Sequence, residues 1–321
     1  MTLASPATRA WQAERGRLIG IAYRMLGDYG HAEDVVSEVA IEALQQERAE
    51  RLDADGLDRP SADDASADDA SADGSSSAGR VRSWPAWLTT VCVRRSIDRV
   101  RALAAVREDY VGPWLPEPVA TSRLPEDAVA DRELLSLALL HMAEQLAPDA
   151  RAAVVLHRAF GMSAVEIGRI LERSPAAVRQ LVSRSERRLR LADDPAVTRA
   201  ADPAALGALL AAVEHGDISG VLALLSDDAI LWSDGGGRVR AALNPIFGAD
   251  HVRRFLLGVL GKALADPASP LGVALLDVNG EPAVALTHSG RTDVLTLEFG
   301  GDGRIHALRQ VCNPDKLTYA L

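Results

Sequence analysis

Residues 162–190 carry the feature that most constrains the fold, a pattern of two short helices separated by a tight turn. Ser163 and Glu166 have the spacing of a capping box, which begins a helix because each side chain satisfies a free backbone N–H group. Ser174 followed by Pro175 predicts the N-cap and first residue of a second helix. Apolar residues recur at helical spacing at Ile167, Ile170, Leu171, Val178, Leu181, Val182 and Leu189. The pattern predicts a helix-turn-helix.

The outer side of the second helix is basic. Its predicted surface residues are Ser174, Arg179, Gln180, Ser183, Arg184, Arg187 and Arg188. Arginine forms bidentate contacts with guanine and binds phosphates, and glutamine can read an adenine edge. We therefore predict that this face binds DNA. The alternative interpretation is an ordinary helical hairpin whose basic face is solvated.

The charge of the chain is distributed unevenly, which matters because a net charge of −10 by itself argues against nucleic-acid binding. Residues 80–107 contain seven Arg and one Asp, a net charge of +6, and residues 163–190 contain seven Arg and three Glu, a net charge of +4. Attraction to phosphate is local at physiological ionic strength. Two basic segments are therefore compatible with DNA binding despite the acidic total.

Residues 53–79 form a low-complexity acidic segment with eight Asp and one Arg, a net charge of −7. The segment lacks aromatic and β-branched residues, so it cannot bury enough apolar surface to offset the entropy lost on ordering. We predict a disordered acidic insert. Its charge would either repel DNA from the neighbouring basic helix or simply keep a loop soluble.

Periodicity and composition divide the chain into four parts. These are a helical domain at 10–107, a linker with four prolines at 108–131, a second helical domain at 132–192 and a further domain at 203–321. In the first domain we predict two helices over about 10–50 and a third from Trp84 to Arg107. In the second, a helix over 132–146 precedes the helix-turn-helix.

In the last part of the chain, predicted helices are followed by predicted strands. Helices are predicted at 204–215, 217–225 and 249–262, and strands at 229–232, 271–278, 282–288, 292–299 and 304–311. Asn-Gly, Ser-Gly and Gly-rich turns separate the last four strands, which is typical of an antiparallel meander. Helices followed by a curved sheet predict an α+β domain.

Several classes of protein are disfavoured by composition. The two cysteines, Cys92 and Cys312, are too few for a disulfide framework or a thiolate metal site. No apolar run approaches eighteen residues, and the N-terminus lacks the pattern of a signal peptide. We expect a cytoplasmic protein without a membrane partner, a metal or a cofactor.

Several segments together resemble a known family. The segments at 17–39 (RLIGIAYRMLGDYGHAEDVVSEV), 84–102 (WPAWLTTVCVRRSIDRVRA) and 146–190 look like the two conserved regions of extracytoplasmic-function sigma factors of the sigma-70 family. The strings YVGPWLPEP (110–118), DGGGR (234–238) and NPDKL (313–317) resemble the subgroup with a SnoaL-like, NTF2-like C-terminal domain. The resemblance implies a multidomain chain: two all-α sigma domains, the second a helix-turn-helix, followed by an α+β NTF2-like cone.

The resemblance also implies partners and residue roles. The partners would be core RNA polymerase, through its β and β′ subunits, and promoter DNA. Asp34 and Glu38 match the acidic helix that docks on the β′ clamp. The helix that meets and melts the downstream promoter element is matched by Arg94, Arg95, Arg99 and Arg101. The segment from Ser174 to Arg188 matches the helix that reads the upstream element.

The same resemblance suggests roles for two tryptophans and a backbone conformation for one turn residue. Trp84 and Trp87 would either stack on unpaired bases or pack in the core, and core packing is the preferred role for Trp87. Glu172 occupies a turn position where the family often has glycine, so we predict a strained backbone if a positive φ is required there.

The resemblance implies that the C-terminal domain regulates the sigma domains through an interdomain surface. Its predicted residues are Trp114, Leu115, Pro116, Asp234, Gly235, Gly236, Gly237, Asn313, Pro314, Asp315, Lys316 and Leu317. The alternative for the glycines is a simple hairpin turn. A small ligand in the cone would influence this regulation only by binding two states of the protein differently.

NTF2-like cones also host enzymes, so fold alone does not settle function. A cyclase or isomerase fused to a DNA-binding module is the competing hypothesis, and a plain helix-turn-helix repressor is a third. The acid/base candidates are Asp234, His251, His288, Asp293 and His306, and none has a diagnostic spacing. We predict no catalytic residue and no enzyme activity.

Overall fold

The computed structural model describes residues 5–56, 80–125, 135–189, 203–215, 217–264 and 270–321. Most of the predicted acidic insert, residues 57–79, lies outside these ranges. Residues 53–56 are helical, so the prediction that the disordered segment begins at 53 is wrong at that end. The predicted boundaries between the second helical domain, its linker and the last domain fall at residues that the structure does not describe.

Three helices form the first part of the chain. They are α1 (Pro6–Leu26), α2 (Tyr29–Gly56) and α3 (Trp84–Glu108). The Ser5 side chain caps α1 at its start, and Gly27 ends it in the left-handed region at φ 66°. The helices predicted from periodicity in this part are confirmed.

An extended linker leads to four further helices. After a short 3₁₀ turn at Thr121–Arg123 come α4 (Leu137–Ala143), α5 (Pro148–Arg158), α6 (Ala164–Leu171) and α7 (Pro175–Arg188). The predicted helix over 132–146 is therefore shorter at its C-terminal end, where turns over 144–146 lead to Pro148.

The two helical parts share one hydrophobic core. Leu18 and Ile21 of α1 belong to the same buried cluster as Leu156 of α5, Ile167 of α6 and Val178 of α7. Helix α3 also contacts α5 and α6. The helix-turn-helix consequently packs directly on the first three helices, which nothing in the local sequence pattern indicated.

The C-terminal part consists of helices and a mixed sheet. Its elements are α8 (Pro203–Glu214), α9 (Ile218–Ala223), β1 (Leu225–Asp234), β2 (Ile246–Phe247), α10 (Ala249–Leu264), β3 (Gly272–Val278), β4 (Glu281–His288), β5 (Arg291–Phe299) and β6 (Ile305–Val311). The strand order is β2-β1-β6-β5-β4-β3. The antiparallel meander is confirmed for β3 to β6, and β1 joins it in parallel to β6. The predicted helix over 217–225 is wrong at its end, because Leu225 already pairs with Ile305.

Other parts of the chain pack on both faces of this sheet, whereas most of the edge strand β3 is exposed. Alternate residues of each strand point to opposite sides. One face packs on the helices of its own domain, in a cluster with Leu209, Leu222, Leu231, Val252 and Leu295. The other face packs on the linker and α4, in a cluster with Leu115, Leu137, Val278, Val294 and Val311. The helical part of the chain thus supplies one of the two layers that bury the sheet.

Candidate functional sites on the helices and at the domain junction

The turn between α6 and α7 has the predicted local structure. The Ser163 hydroxyl accepts the Glu166 N–H at 3.3 Å and the Glu166 carboxylate accepts the Ser163 N–H at 2.8 Å, which completes the capping box. The Ser174 hydroxyl caps α7 by accepting the Ala177 N–H at 3.2 Å. Glu172 ends α6 in the left-handed region at φ 55°, so the predicted positive φ is confirmed and a residue with Cβ is strained there.

The outer face of α7 is exposed and basic. Exposed side chains are those of Ser174, Arg179, Gln180, Ser183, Arg184, Arg187 and Arg188. Inward-facing Val178, Val182 and Leu189 are buried. The surface predicted to read DNA is therefore accessible from solvent, and its role stays a prediction.

The basic residues of α3 are occupied by carboxylates of the same chain. Arg94 pairs with Glu172 at 2.6 Å, and Arg101 pairs with Asp149 of α5 at 3.2 Å. On the other side of α3, Arg99 pairs with Glu38 at 2.8 Å. The fourth arginine, Arg95, pairs with Glu42 of α2. All four predicted promoter-contacting arginines of this helix are thus engaged within the chain.

Only part of the acidic face of α2 is available for contact with another molecule. The Asp34 side chain is exposed, whereas the Glu38 side chain is shared with Arg99 and Arg95. Ile41 and Leu44 lie about one and two turns after Glu38 on the same helix. The Ile41 side chain is 57% exposed and the Leu44 side chain is 51% exposed. Sequence reasoning missed Ile41 and counted Leu44 in the apolar periodicity of the helix. The two residues are three positions apart and therefore neighbours on the helix surface.

Trp84 and Trp87 lie together at the start of α3. Their rings meet edge to face with centroids 5.6 Å apart, and both are half-buried against the helical core. This arrangement supports the core-packing role for Trp87, and base stacking stays a prediction.

Asp234 is the centre of the junction between the linker and the C-terminal domain. Its buried carboxylate accepts hydrogen bonds from the Tyr110 hydroxyl at 2.6 Å, the Leu115 N–H at 2.8 Å and the Lys316 ammonium at 2.7 Å. Burial lowers the pKa of Lys316 to about 8, and the neighbouring Asp234 opposes this shift. The Lys316 ammonium also donates to the Leu115 carbonyl at 2.6 Å. A charged pair enclosed in this way holds the linker against the sheet.

Trp114 lies between two cations at the same junction. The Arg107 guanidinium lies 3.6 Å from the centre of its ring and the Lys316 ammonium 4.0 Å. Its edge approaches Gly27, where an added Cβ would come within 2.9 Å of Trp114 and where φ is 66°. The end of α1 therefore requires glycine for both backbone and space.

The glycines after β1 allow other side chains to approach the backbone closely; they do not connect two strands in a tight hairpin. A Cβ at Gly236 would lie 2.3 Å from Asn313 Nδ2, and Gly236 has φ 54°. Asn313 donates to the Tyr110 hydroxyl at 3.0 Å. The antiparallel partner of β1 begins only at Ile246, so the simple hairpin interpretation is wrong.

The remaining predicted junction residues divide into buried and exposed groups. Leu115 and Leu317 share the buried cluster under the sheet, Pro116 is buried, and Pro314 begins a 3₁₀ turn. Asp315 is exposed and pairs with Arg238 at 2.8 Å.

A second junction, at Asn279, was missed by sequence reasoning. Asn279 occupies the β3–β4 turn at φ 57° and is fully buried. Its amide accepts the Val119 N–H at 2.9 Å and donates to the Tyr23 hydroxyl at 2.6 Å and to the Leu135 carbonyl at 2.8 Å. The Asn-Gly pair signalled a turn, and nothing local showed that the turn would be buried against α1.

The linker residue Glu117 joins the same region to α2. Its carboxylate accepts the Tyr29 N–H at 2.7 Å, and its carbonyl accepts the Tyr23 hydroxyl at 2.6 Å. Burial raises the pKa of Glu117 to about 7, the Asp28 carboxylate adds to the shift, and the Tyr29 N–H opposes it.

The acid/base candidates of the cone do not converge on its cavity. A cavity of about 90 Å³ lies between the sheet and helices α8 to α10, and its described walls are apolar apart from Asp217. His251 and His306 contact neighbouring groups at the surface. His288 and Asp293 form a buried pair at 3.1 Å, and Gln310 donates to Asp293 at 2.8 Å. None of the five candidates is among the described residues that line this cavity.

No helix in the described ranges is long and apolar enough to cross a lipid bilayer. Within the same ranges, no group of three or more His, Cys, Asp or Glu side chains has the arrangement of a metal site.

Comparison with known proteins gives consistent relatives over the whole chain. The family model for sigma-70 region 4 matches residues 136–189. The ECF RNA polymerase sigma factor SigJ of Mycobacterium tuberculosis is 33% identical, over 96% of this chain and 92% of that protein. A probable ECF RNA polymerase sigma factor SigI of the same species is 26% identical over 100% of this chain and 99% of its own. The crystal structure of M. tuberculosis SigJ matches with a TM-score of 0.69 at 29% identity, covering 98% of this chain and 99% of that one.

Proposed function

The chain belongs to the extracytoplasmic-function family of RNA polymerase sigma factors, and from this premise we propose which surfaces it uses and how they are controlled. Helix α2 docks on core polymerase through Asp34 and Glu38, with Ile41 and Leu44 extending the contact. Helix α3 meets and melts the downstream promoter element, and α7 reads the upstream one. The basic outer face of α7 and the arginines of α3 support these roles.

The compact arrangement is a resting state that must open before both promoter elements are bound. The observation that carries this proposal is the pairing of Arg94 with Glu172 and of Arg101 with Asp149. These contacts place carboxylates of the helix-turn-helix part on arginines that DNA phosphates would otherwise neutralise. Promoter binding through α3 therefore competes with closure of the two helical parts.

The C-terminal domain stabilises closure and does not carry out covalent chemistry. It holds the linker at Asp234 and holds α1 at Asn279, so both junctions favour the compact state. An effector would shift the balance only by binding the closed and open states with different affinity.

Reconstituted transcription tests the proposal directly. The full chain is added to core polymerase and a promoter template, and transcripts are compared with those from core alone and from an Arg187→Ala, Arg188→Ala variant. Promoter-dependent transcripts that fall in the variant support the proposed function. Absence of any complex with core polymerase would contradict it.

A substitution that weakens the junction at Asn279 tests whether the C-terminal domain regulates the sigma domains. Asn279→Asp keeps the acceptor for Val119 and removes the two donors to Tyr23 and Leu135. We expect higher transcript output at limiting concentrations of the protein. Asp315→Asn, at an exposed position beside the first junction, is the matched control. Equal output from all three proteins would contradict a regulatory role for the C-terminal domain.

A further inference from the structure

The cavity of about 90 Å³ in the C-terminal domain lies between β3 to β5 and helices α8 to α10. Val221 and Leu256 line it from the helices, and Val284, Leu286 and Leu295 line it from the sheet. Val273 of β3 also lines it and is 43% exposed, so the cavity reaches the surface there. The proposed function does not use this space.

We propose that this cavity binds an uncharged, apolar small molecule and that its occupancy acts on closure of the sigma domains through the β3–β4 hairpin. The binding step stands on the cavity alone. The consequence for closure rests on the proposed function.

The chemistry of the walls selects the ligand class. Among the described residues that line the cavity, Asp217 carries the only ionisable side chain, and its carboxylate already accepts the Gly220 N–H at 2.8 Å as the cap of α9. A charged or strongly polar ligand would lose its hydration without gaining partners. An enclosed apolar cavity of about 150 Å³ stays dry and binds benzene or xenon. This cavity is smaller, about 90 Å³, and opens at Val273, so the ligand class it suits is no larger than a single ring or a short branched chain.

The hairpin provides a direct physical link from the cavity to α1. Val273 pairs with Leu286 across β3 and β4, and both side chains line the cavity. The same two strands end in Asn279, whose amide is bonded to Tyr23 of α1 and to the linker at Val119. A ligand that shifts these strands therefore acts on the buried tip six to seven residues, or roughly 20 Å, away along β3 and β4.

Ligand binding is tested on the full chain with benzene as the probe and thermal unfolding as the readout. Leu260→Trp fills the cavity from α10, and Leu257→Trp makes the same change at an exposed position one turn away. At about tenfold above its dissociation constant, benzene should raise the unfolding midpoint of the wild type and of Leu257→Trp by roughly 2–4 °C. Leu260→Trp should show no rise. Ala212→Leu, which fills the cavity from α8, provides the same test if Leu260→Trp does not fold.

An equal rise in all variants, or no rise in the wild type, would overturn the binding proposal whatever the outcome of the transcription experiments. Loss of transcription activity alone would leave the binding result untouched. Failure of the ligand site and failure of the proposed function are therefore distinguishable.

Coupling is tested by amide hydrogen exchange with and without benzene. The Val119 backbone N–H donates to the side-chain oxygen of Asn279, and the Asn279 backbone N–H donates to the Val119 carbonyl. We expect benzene to change their exchange rates by about threefold or more, while amides inside α5 keep theirs. If benzene binds and these two rates stay constant, the cavity is not coupled to closure.

Discussion

At the scale of single residues, the buried charges at the junctions are the sensitive points of this molecule. Asp234 is shielded from water and satisfied by three donors, and Lys316 depends on it for a counter-ion. Removing one partner of such a pair leaves an uncompensated charge in a low-dielectric environment. Exposed pairs close by, such as Arg238 with Asp315, lack this penalty.

We expect Asp234→Asn to destabilise the protein by roughly 3 kcal/mol, because Lys316 loses its counter-ion while remaining buried. Asp315→Asn should change the free energy of unfolding by less than about 1 kcal/mol. Urea titrations followed by tryptophan fluorescence measure both, since Trp114 lies 4.0 Å from the Lys316 ammonium. Similar effects of the two substitutions would contradict the role given to Asp234.

Glu117 should make stability depend on pH. Its pKa is raised to about 7 in the folded chain, so between about pH 4.5 and pH 7 the folded state binds more protons than the unfolded state. The stabilising contribution is present at low pH and is lost as pH rises through 7. Glu117→Gln keeps an acceptor for Tyr29 and removes the titration.

We expect the wild type to lose up to roughly 3 kcal/mol relative to Glu117→Gln as pH rises from 5 to 8. Thermal unfolding midpoints of the two proteins, measured in parallel across this range, give the difference directly. A difference that does not vary with pH would show that Glu117 does not titrate there.

At the scale of elements, α3 is the helix with two competing sets of partners. Its arginines bond to carboxylates on α2, α5 and the α6–α7 turn, and the same arginines are the predicted promoter contacts. The strained backbone at Glu172 is consistent with a functional contact, because a glycine would relieve the strain but would lose the bond to Arg94.

Replacing Glu172 by Gln together with Asp149 by Asn should release Arg94 and leave Arg101 paired only with Asp98 of its own helix. We expect roughly 2- to 10-fold tighter binding of promoter DNA by the free protein, as the pairs of Arg94 and Arg101 with these carboxylates no longer compete; the pair of Asp149 with Arg173 is lost as well. Fluorescence anisotropy with a labelled promoter fragment measures the change. Glu186→Gln is the control, because it removes a carboxylate paired with Arg158 inside the helix-turn-helix part. Because the control removes one negative charge and the double variant two, a control that gives half or more of the double variant's change in binding free energy would show that only net charge matters.

At the scale of the whole molecule, a single core and two junctions hold the helical parts together. The shared core joins α1 with α5, α6 and α7, and the sheet is closed on one face by the linker and α4. Opening therefore exposes apolar surface, which core polymerase would have to cover. Under the proposed function, the compact state is the resting state of the free protein.

We expect the two helical parts to move apart when core polymerase binds. Dyes attached through Ala49→Cys on α2 and Val165→Cys on α6 should show a fall in energy transfer on adding core polymerase. The native Cys92 and Cys312 are buried with raised pKa values, so they should not react with dye.

A dye pair at Val165→Cys and Ala176→Cys, both within the helix-turn-helix, is the control and should not change. Constant energy transfer in the α2–α6 pair, with polymerase demonstrably bound, would contradict opening.

The sequence by itself determined the features whose causes are local. The capping box at Ser163 and the cap at Ser174 each follow from a few neighbouring residues, and both are confirmed. The meander is confirmed for the same reason, since alternation and turn residues specify hairpins. Family membership was recognisable because several such segments occur in a fixed order. The expectation for Glu172 came instead from the family resemblance, and its φ is 55°.

Only the tertiary structure decided how these parts meet. The pairing of Arg94 with Glu172 joins residues 78 positions apart, and the bond from Asn279 to Tyr23 joins residues 256 apart. No periodicity or spacing encodes such contacts, because they depend on which faces remain unburied after each part has folded. The helix-turn-helix is therefore predictable from the sequence, whereas its packing against α3, the other helix proposed to contact the promoter, required the structure.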